Sequence, residues 1–309
     1  MKIAFIHRGR AIKPELEIYR DFFQQAGHES VLLKTWSEES IQSCEVEWHF
    51  MGLDRQAKPG NRIKVHEYTS LSIPPFAYWK NHIKKRLASQ PDLRVFGSPL
   101  IAQVLNFRDG VPAFFRDAGI GQQFFQKQHE TAAMYDFVYC GAMDRTRQLH
   151  RLLNHFIQKL PEQKLLLVGE VPPHLKPFLS HPNFYTSGKV PYPDVPRYLL
   201  QARYAINFIP DVYPYHFQRP LKLLEYCALG MPVVSTDYAW VRQFEAERKA
   251  LFFKIKPDFS NFTLENVQKF RYSTPDVRDL SWENILASSG ILPFLEGALQ
   301  SHNLAGHSK

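Results

Sequence analysis

The segment from Arg219 to Thr236 has the clearest chemical potential, because it places a cation and a carboxylate three residues apart. Pro220 suits the first turn of a helix and Gly230 its end, so Lys222 and Glu225 share one face of that helix. A helix N-terminus attracts a diphosphate, and a carboxylate one turn further along accepts hydrogen bonds from two ribose hydroxyls. An exposed Lys/Glu pair on an ordinary amphipathic helix is the alternative.

Other chemical motifs are incomplete. Gly188-Lys189 lacks both the first Gly and the Ser/Thr of a phosphate-binding Walker A loop, and Gly119-Ile120-Gly121 lacks the third Gly of a dinucleotide fingerprint. The sequence contains no H-E-x-x-H, G-x-S-x-G or D-x-D pattern. A metal site or a serine nucleophile therefore has no motif support.

Composition limits the class of protein. The 309 residues carry 38 Lys+Arg and 30 Asp+Glu, a net charge of +8 that favours anionic partners. With 44% hydrophobic residues the chain can bury two cores, and its 3 cysteines stand too far apart for a disulfide scaffold. No apolar stretch has the length of a signal peptide or a membrane span. We expect a cytoplasmic protein, peripheral at most at the inner face of a membrane.

Strand-like runs alternate with segments of helical periodicity, which predicts an α/β fold with parallel sheets. The first βαβ unit covers residues 2–34, and a second α/β series begins near Phe137. The Gln-rich stretch 120–134 between them interrupts the alternation. We therefore predict two doubly wound domains, residues 1–130 and 131–285.

Residues 220–236 resemble the nucleotide-sugar helix and following strand of GT-B glycosyltransferases of family 4, often called group 1. Glu225 matches that family's ribose-binding glutamate, and residues 230–234 match its G-x-P-V-V. Weaker matches follow the family's order at Gly27-His28-Glu29, 91–100, 183–210 and Ser281-Trp282-Glu283. The resemblance implies two Rossmann-like domains facing a cleft, and a final segment, 286–309, whose helix packs back toward the first domain.

The departures from the family pattern fall in the donor site. The E-x7-E pair of the family needs an acid at position 217, where this chain has Phe217, and Asp211 is the candidate replacement. Gly141-Ala142 lacks the arginine of the family's Gly-Arg, while Arg147 stands where its phosphate-binding lysine is expected. Guanidinium groups bind phosphate oxygens bidentately, although each arginine could instead form a surface salt bridge. The expected donor-binding set is Glu225, Lys222, Leu221, Arg219, Arg147, Arg145 and Gly141.

In doubly wound folds the carboxyl ends of the strands line the crevice, which selects the residues for the acceptor side. These are His7, Arg8, Arg10, Arg116, His66, Glu67 and Asp117. Asp117, His66 and Glu67 are the catalytic candidates. Asp117 is the best acid, as a general base in an inverting mechanism or as an orienting group in a retaining one. A capping role for Asp117 and local packing for His66 are the alternatives.

By resemblance, we expect transfer of a sugar from a nucleotide-diphosphate sugar to a hydroxyl of a saccharide or lipid-linked acceptor, in surface polysaccharide or glycolipid synthesis. We expect no cofactor, no obligatory metal and no nucleic-acid partner. Phe76, Tyr78 and Trp79, beside a basic stretch, would suit contact with an anionic membrane or, alternatively, core packing. A sugar-nucleotide 2-epimerase that does not use NAD, or a catalytically degenerate partner subunit, are the alternative functions.

Overall fold

A computed structural model describes residues 1–7, 15–34, 37–50, 54, 62–69, 71–72, 76–126, 132–212, 215 and 219–306. The chain divides into two units: unit 1 comprises Met1–Gly119 and Trp282–Lys309, and unit 2 comprises Ile120–Ser281. Unit 2 is therefore an insertion between the two parts of unit 1.

Unit 1 is built on a parallel six-stranded sheet with the order β2-β1-β3-β4-β5-β6. Its elements are, in chain order, β1 (Lys2–Ile6), α1 (Glu15–Gln25), β2 (Glu29–Leu33), α2 (Glu38–Ile41), β3 (Val46–Phe50), β4 (Ile63–Tyr68), α3 (Ala77–Leu87), β5 (Leu93–Phe96), α4 (Pro99–Leu105) and β6 (Ala113–Phe115). The chain returns to unit 1 with α10 (Trp282–Ser288) and α11 (Ile291–Gly306).

The two faces of this sheet differ in chemistry because successive side chains of a strand point to opposite sides. On one face, Trp48 packs in an apolar cluster with Tyr19 and Phe23 of α1, and with Trp282 and Leu295 of the returning helices. Full burial of such a side chain contributes roughly 1.5–3 kcal/mol. The opposite face of β3 and β4 carries buried polar groups: Glu47, His49, Lys64 and His66.

Unit 2 has a second parallel six-stranded sheet, with the order β12-β11-β10-β7-β8-β9. Its elements are β7 (Tyr135–Cys140), α5 (Leu149–Lys159), β8 (Leu165–Val168), β9 (Phe184–Gly188), α6 (Val195–Leu199), β10 (Ala202–Asn207), α7 (Leu221–Ala228), β11 (Val233–Thr236), α8 (Ala239–Arg248), β12 (Phe253–Ile255) and α9 (Leu264–Lys269). Short 3-10 helices cover Gln122–Phe124, Arg145–Arg147, Pro173–Ser180, Tyr192–Asp194 and Arg278–Leu280. The prediction of two doubly wound α/β domains is confirmed.

The boundaries of the units differ from those predicted. Unit 2 begins at Ile120 rather than 131 and ends at Ser281 rather than 285. The reason is that both of its ends are hydrogen-bonded to each other: the Ile120 amide donates to the Leu280 carbonyl at 2.8 Å, and Ile120 pairs with Ser281 in a β-bridge. Helix α11 lies within the predicted final segment 286–309, and its core residues belong to unit 1.

Candidate functional site

Helix α7 carries the motif with the strongest chemical expectation. It follows β10 in the chain, and its C-terminus is closed by Gly230, whose φ of +68° suits glycine. The Met231 amide donates to the Tyr226 carbonyl at 3.0 Å, which completes the turn. Leu223 and Leu224 are fully buried, so the helix is fixed on the sheet of unit 2.

Glu225 is a buried carboxylate rather than part of an exposed ion pair. Glu225 is only 4% exposed, and the Tyr192 hydroxyl donates a hydrogen bond to its Oε1 at 2.8 Å. Burial raises the pKa of Glu225 to about 7, while the Tyr192 hydrogen bond and the charge of Lys222 oppose the rise. The alternative of a solvated Lys/Glu pair is therefore wrong for this helix.

Lys222 lies in the first turn of α7, with its Nζ 3.9 Å from the centroid of the Tyr139 ring. The electron-rich face of that ring attracts the ammonium group. Burial, together with the positive charge of Arg147, lowers the pKa of Lys222 to about 7. The site thus holds two cations close enough to repel each other.

Arg147 and Arg145 occupy different environments although they share one 3-10 helix. The guanidinium carbon of Arg147 lies 4.4 Å from the centroid of the buried Tyr215 ring, and its Nε lies 3.9 Å from Asp144. Arg145 is exposed. Only Arg147 of this pair is therefore held in place by packing.

Gly141 begins the connection after β7, with a φ of +118° that favours glycine. A Cβ added at Gly169, after β8, would lie 3.0 Å from the Gly141 carbonyl oxygen. The backbones of the loops that follow β7 and β8 therefore approach each other closely. They do so at the carboxyl ends of the strands, where ligands bind in such folds.

The remaining residues considered for the donor site differ in their exposure to solvent. Arg219 and Leu221 are half-buried at the start of α7. Asp211, the candidate replacement for the missing acid, is exposed. Phe217 lies outside the described residues.

Glu67 and Arg116 form a buried ion pair in the core of unit 1. Arg116 Nη2 donates to Glu67 Oε1, and Trp48 Nε1 donates to Glu67 Oε2 at 2.8 Å. The guanidinium carbon of Arg116 also lies 4.9 Å from the Trp282 ring centroid. Glu67 and Arg116 are at most 4% exposed, so the structure argues against the expected roles of Glu67 in catalysis and of Arg116 on the acceptor side.

His66 belongs to a buried polar cluster on the opposite face of the same sheet. Lys64 Nζ lies 2.6 Å from Asp54 Oδ2 and 3.1 Å from Glu47 Oε1, and His66 Nε2 lies 3.4 Å from Asp54 Oδ2. Burial lowers the pKa of His66. His66 is only 3% exposed, which agrees with the alternative that it packs locally.

Asp117 and His7 remain accessible groups at strand ends of unit 1. Asp117 follows β6, is exposed, and accepts a hydrogen bond from the Ala118 amide at 3.1 Å. His7 follows β1 and is half-buried. Arg8 and Arg10 lie outside the described residues.

Helix α3 exposes the aromatic residues noted in the sequence. Phe76 is 73% exposed, Tyr78 75% and Trp79 62%. Core packing is therefore wrong for these three side chains.

Three tyrosines of the site had no sequence signal. Tyr192 contacts Glu225, Tyr139 lies beneath Lys222, and Tyr215 lies beneath Arg147. Tyr139 and Tyr215 look like ordinary core aromatics, and Tyr192 stands in a loop sequence, Pro191-Tyr192-Pro193, typical of turns. Their roles depend on contacts between distant segments.

Residues 135–260 match the family model described as Glycosyl transferases group 1. Its span covers most of unit 2, including the complete α7 motif. Unit 2 is similar to group 1 glycosyltransferases over these residues. The prediction of a glycosyltransferase of this type is confirmed.

Solved structures resemble the whole glycosyltransferase chain. The sucrose-phosphate synthase of Thermosynechococcus elongatus has a TM-score of 0.63 and 14% identity, over 99% of this chain and 98% of that one. Anabaena HepE in complex with UDP-glucose has a TM-score of 0.60 and 13% identity, over 100% of both chains. T4 phage β-glucosyltransferase has a TM-score of 0.53 and 13% identity, over 98% and 99%.

At these identities the likeness establishes the fold, which is GT-B as predicted. No match to a curated protein sequence was found. None of the helices in the described ranges of this glycosyltransferase has both the length and the apolar composition needed to cross a bilayer.

Proposed function

We propose that unit 2 binds a nucleoside diphosphate sugar, with UDP-glucose the first candidate because a structurally similar protein is complexed with it. The observation that carries this proposal is the pairing of two cations, Arg147 and Lys222, near a buried carboxylate, Glu225, one helical turn further along. Like charges held together repel unless an anion binds them. A diphosphate supplies that anion, and the adjoining ribose supplies hydroxyls for Glu225.

In the proposed transfer, the bond between C1 of the sugar and the diphosphate oxygen breaks, and that oxygen keeps the electron pair. A bond forms between C1 and a hydroxyl oxygen of a saccharide or lipid-linked acceptor, and the hydroxyl proton is released to water, so that the products are the glycoside, the nucleoside diphosphate and one proton. Arg147 and Lys222 stabilise the negative charge that develops on the leaving group. Because this chain provides those cations, we propose that the reaction needs no cofactor and no obligatory metal.

The test of the donor site is a calorimetric titration with UDP, GDP, ADP, CMP and their common sugars. We expect one nucleoside diphosphate to bind tightly, and at least about tenfold more weakly in Glu225→Ala, since a charge-assisted hydrogen bond contributes about 1.5–3 kcal/mol. Glu162→Ala is the matched control, because Glu162 is exposed in the turn that follows α5. If no nucleotide binds with a dissociation constant below about 1 mM, which corresponds to a binding free energy of roughly −4 kcal/mol, the proposal is contradicted.

The acceptor class is a separate part of the proposal. Synthesis of surface polysaccharide or glycolipid would bring the enzyme to an anionic membrane, and helix α3 presents a suitable surface. Phe76, Trp79, Ile83 and Leu87 are exposed at intervals of three, four and four residues, so they form one apolar stripe. Lys80, Lys84 and Arg86 accompany the stripe. Apolar side chains with basic neighbours bind anionic lipid surfaces.

Flotation with phosphatidylcholine vesicles, with and without phosphatidylglycerol, tests this surface. We expect binding only to the anionic vesicles, weakened by salt and by about tenfold in the double variant Trp79→Ser/Ile83→Ser. Leu251→Ser is the matched control, because Leu251 is 53% exposed on unit 2. Equal binding of wild type and the double variant would contradict a role for α3.

A further inference from the structure

Tyr192 connects a loop of unit 2 directly to the carboxylate of α7. Its hydroxyl donates to Glu225 Oε1 at 2.8 Å. Its ring packs against Phe124, with centroids 5.5 Å apart, and Gln123 Nε2 donates to its backbone carbonyl at 3.5 Å. The hydroxyl is thus held against Glu225 by packing and by a backbone hydrogen bond.

This hydrogen bond leaves room for a ligand. A carboxylate offers about four lone-pair positions, of which Tyr192 takes one, so two ribose hydroxyls can still donate to Glu225. A protonated carboxyl group is a poorer partner, because it carries its own hydrogen and has lost its charge. The affinity of the site for a ribose diol therefore depends on the ionised form of Glu225.

Among the residues that the structure describes, the titratable and charged groups acting on Glu225 or its neighbour Lys222 are Tyr192, Cys140, Tyr226 and Arg147. Burial raises the pKa of Cys140 to about 12 and that of Tyr226 well above its ordinary value, so both are neutral near pH 7. Lys222 loses its proton near pH 7, because burial lowers its pKa to about 7. Of these described groups, Tyr192 is thus the stabilising partner of Glu225 that persists on both sides of neutrality.

We propose that Tyr192 is a positioning residue of the donor site, whose hydroxyl keeps Glu225 ionised and oriented toward the ribose diol of a nucleoside diphosphate. This inference rests on the proposed function. It assigns to the loop after β9 a role in nucleotide affinity that acts through Glu225 rather than through contact with the base or the phosphates.

The test compares wild type with Tyr192→Phe, which removes only the hydroxyl. The dissociation constant of the best-binding member of UDP, GDP and ADP is measured by calorimetry from pH 6 to pH 9. The ratio of the constants for variant and wild type cancels titration of the nucleotide itself. Tyr185→Phe is the control, because Tyr185 lies on β9 and packs its ring against Tyr135.

We expect the ratio for Tyr192→Phe to be within about twofold at pH 8.5 and to rise to about tenfold at pH 6.5, since losing a hydrogen bond to a charged group raises the pKa of Glu225 by about one unit. Glu225→Gln, which cannot ionise, should bind weakly at every pH, and adding Tyr192→Phe to it should leave the ratio independent of pH.

A ratio that is the same at every pH would overturn the inference, because a purely structural role for Tyr192 predicts that result. A ratio near one throughout, as expected for Tyr185→Phe, would overturn it as well. If wild type binds none of the three nucleotides, the proposed function fails with it. If wild type and Tyr192→Phe bind with the same pH profile, only the role of Tyr192 fails.

Discussion

The ammonium group of Lys222 lies 3.9 Å from the centre of the Tyr139 ring, and the pKa of this lysine is lowered to about 7 by burial and by Arg147. Its positive charge is therefore only partly present at neutral pH. An anion bound beside Lys222 favours the charged form and raises this pKa again. Protonation of Lys222 would therefore be coupled to the proposed binding of a nucleoside diphosphate.

The first prediction follows from that coupling. At pH 8, where free Lys222 is mostly neutral, binding of a nucleoside diphosphate should take up protons, to a limit of about one per site. Calorimetry in buffers of different ionisation enthalpy measures this uptake. Lys222→Arg should abolish it, because arginine stays protonated. Unchanged uptake in that variant would assign the proton to another group.

The second prediction separates two arginines of one 3-10 helix. Arg147→Met should lower kcat by about 10- to 100-fold, because it removes a charged hydrogen-bond donor contributing about 1.5–3 kcal/mol to leaving-group stabilisation. Arg145→Met should change kcat by less than about threefold, since Arg145 is exposed. Steady-state kinetics with the donor identified by titration measures both. Equal losses would mean that packing on Tyr215 does not distinguish the two arginines.

The third prediction concerns the core of unit 1. Arg116→Ala should lower the free energy of unfolding by about 3–5 kcal/mol, because it leaves the Glu67 carboxylate buried without its partner. The double variant Arg116→Met/Glu67→Leu should recover most of that loss. Urea denaturation measures the stability of all three proteins. A large loss of kcat in the double variant with normal stability would instead restore a catalytic role to this pair.

The fourth prediction tests the point where the chain passes from unit 1 into unit 2. A Cβ added at Gly119 would lie 2.6 Å from the Cα of Trp282, so Gly119→Ala forces backbone to move. We expect a loss of about 1–3 kcal/mol in the free energy of unfolding. Gly297→Ala is the control, because its Cβ meets nothing within 4 Å and alanine favours the helix by up to about 1 kcal/mol. Thermal unfolding of both variants gives the comparison.

The α7 motif was predictable because its proline, glycine and hydrophobic spacing are local features. The first βαβ unit, predicted over residues 2–34, agrees with β1, α1 and β2, since the sequence there alternates strand-like apolar runs with helical periodicity. Glu67 was harder to place. Alternation along a strand assigns a side chain to one of two faces, and only the packing of α1 and Trp282 reveals that its face is the core.

The ends of unit 2 were missed for a related reason. The 3-10 helix Gln122–Phe124 has no long periodicity, and its membership in unit 2 depends on contacts with Tyr192. Tyr192 can be recognised as a partner of Glu225 only when the structure shows that the loop after β9 lies beside α7. Long-range contacts of this kind leave no pattern in a single sequence.

The insertion of unit 2 within unit 1 has a consequence for biosynthesis. As the chain leaves the ribosome, the segment Met1–Gly119 emerges without Trp282, Leu286, Ile291 and Leu295, which complete its apolar cluster. Residues 120–281 emerge as a contiguous block whose two ends bond to each other. Domains generally fold as units during synthesis. Unit 2 can therefore reach its native state before the last two helices of unit 1 have been synthesised.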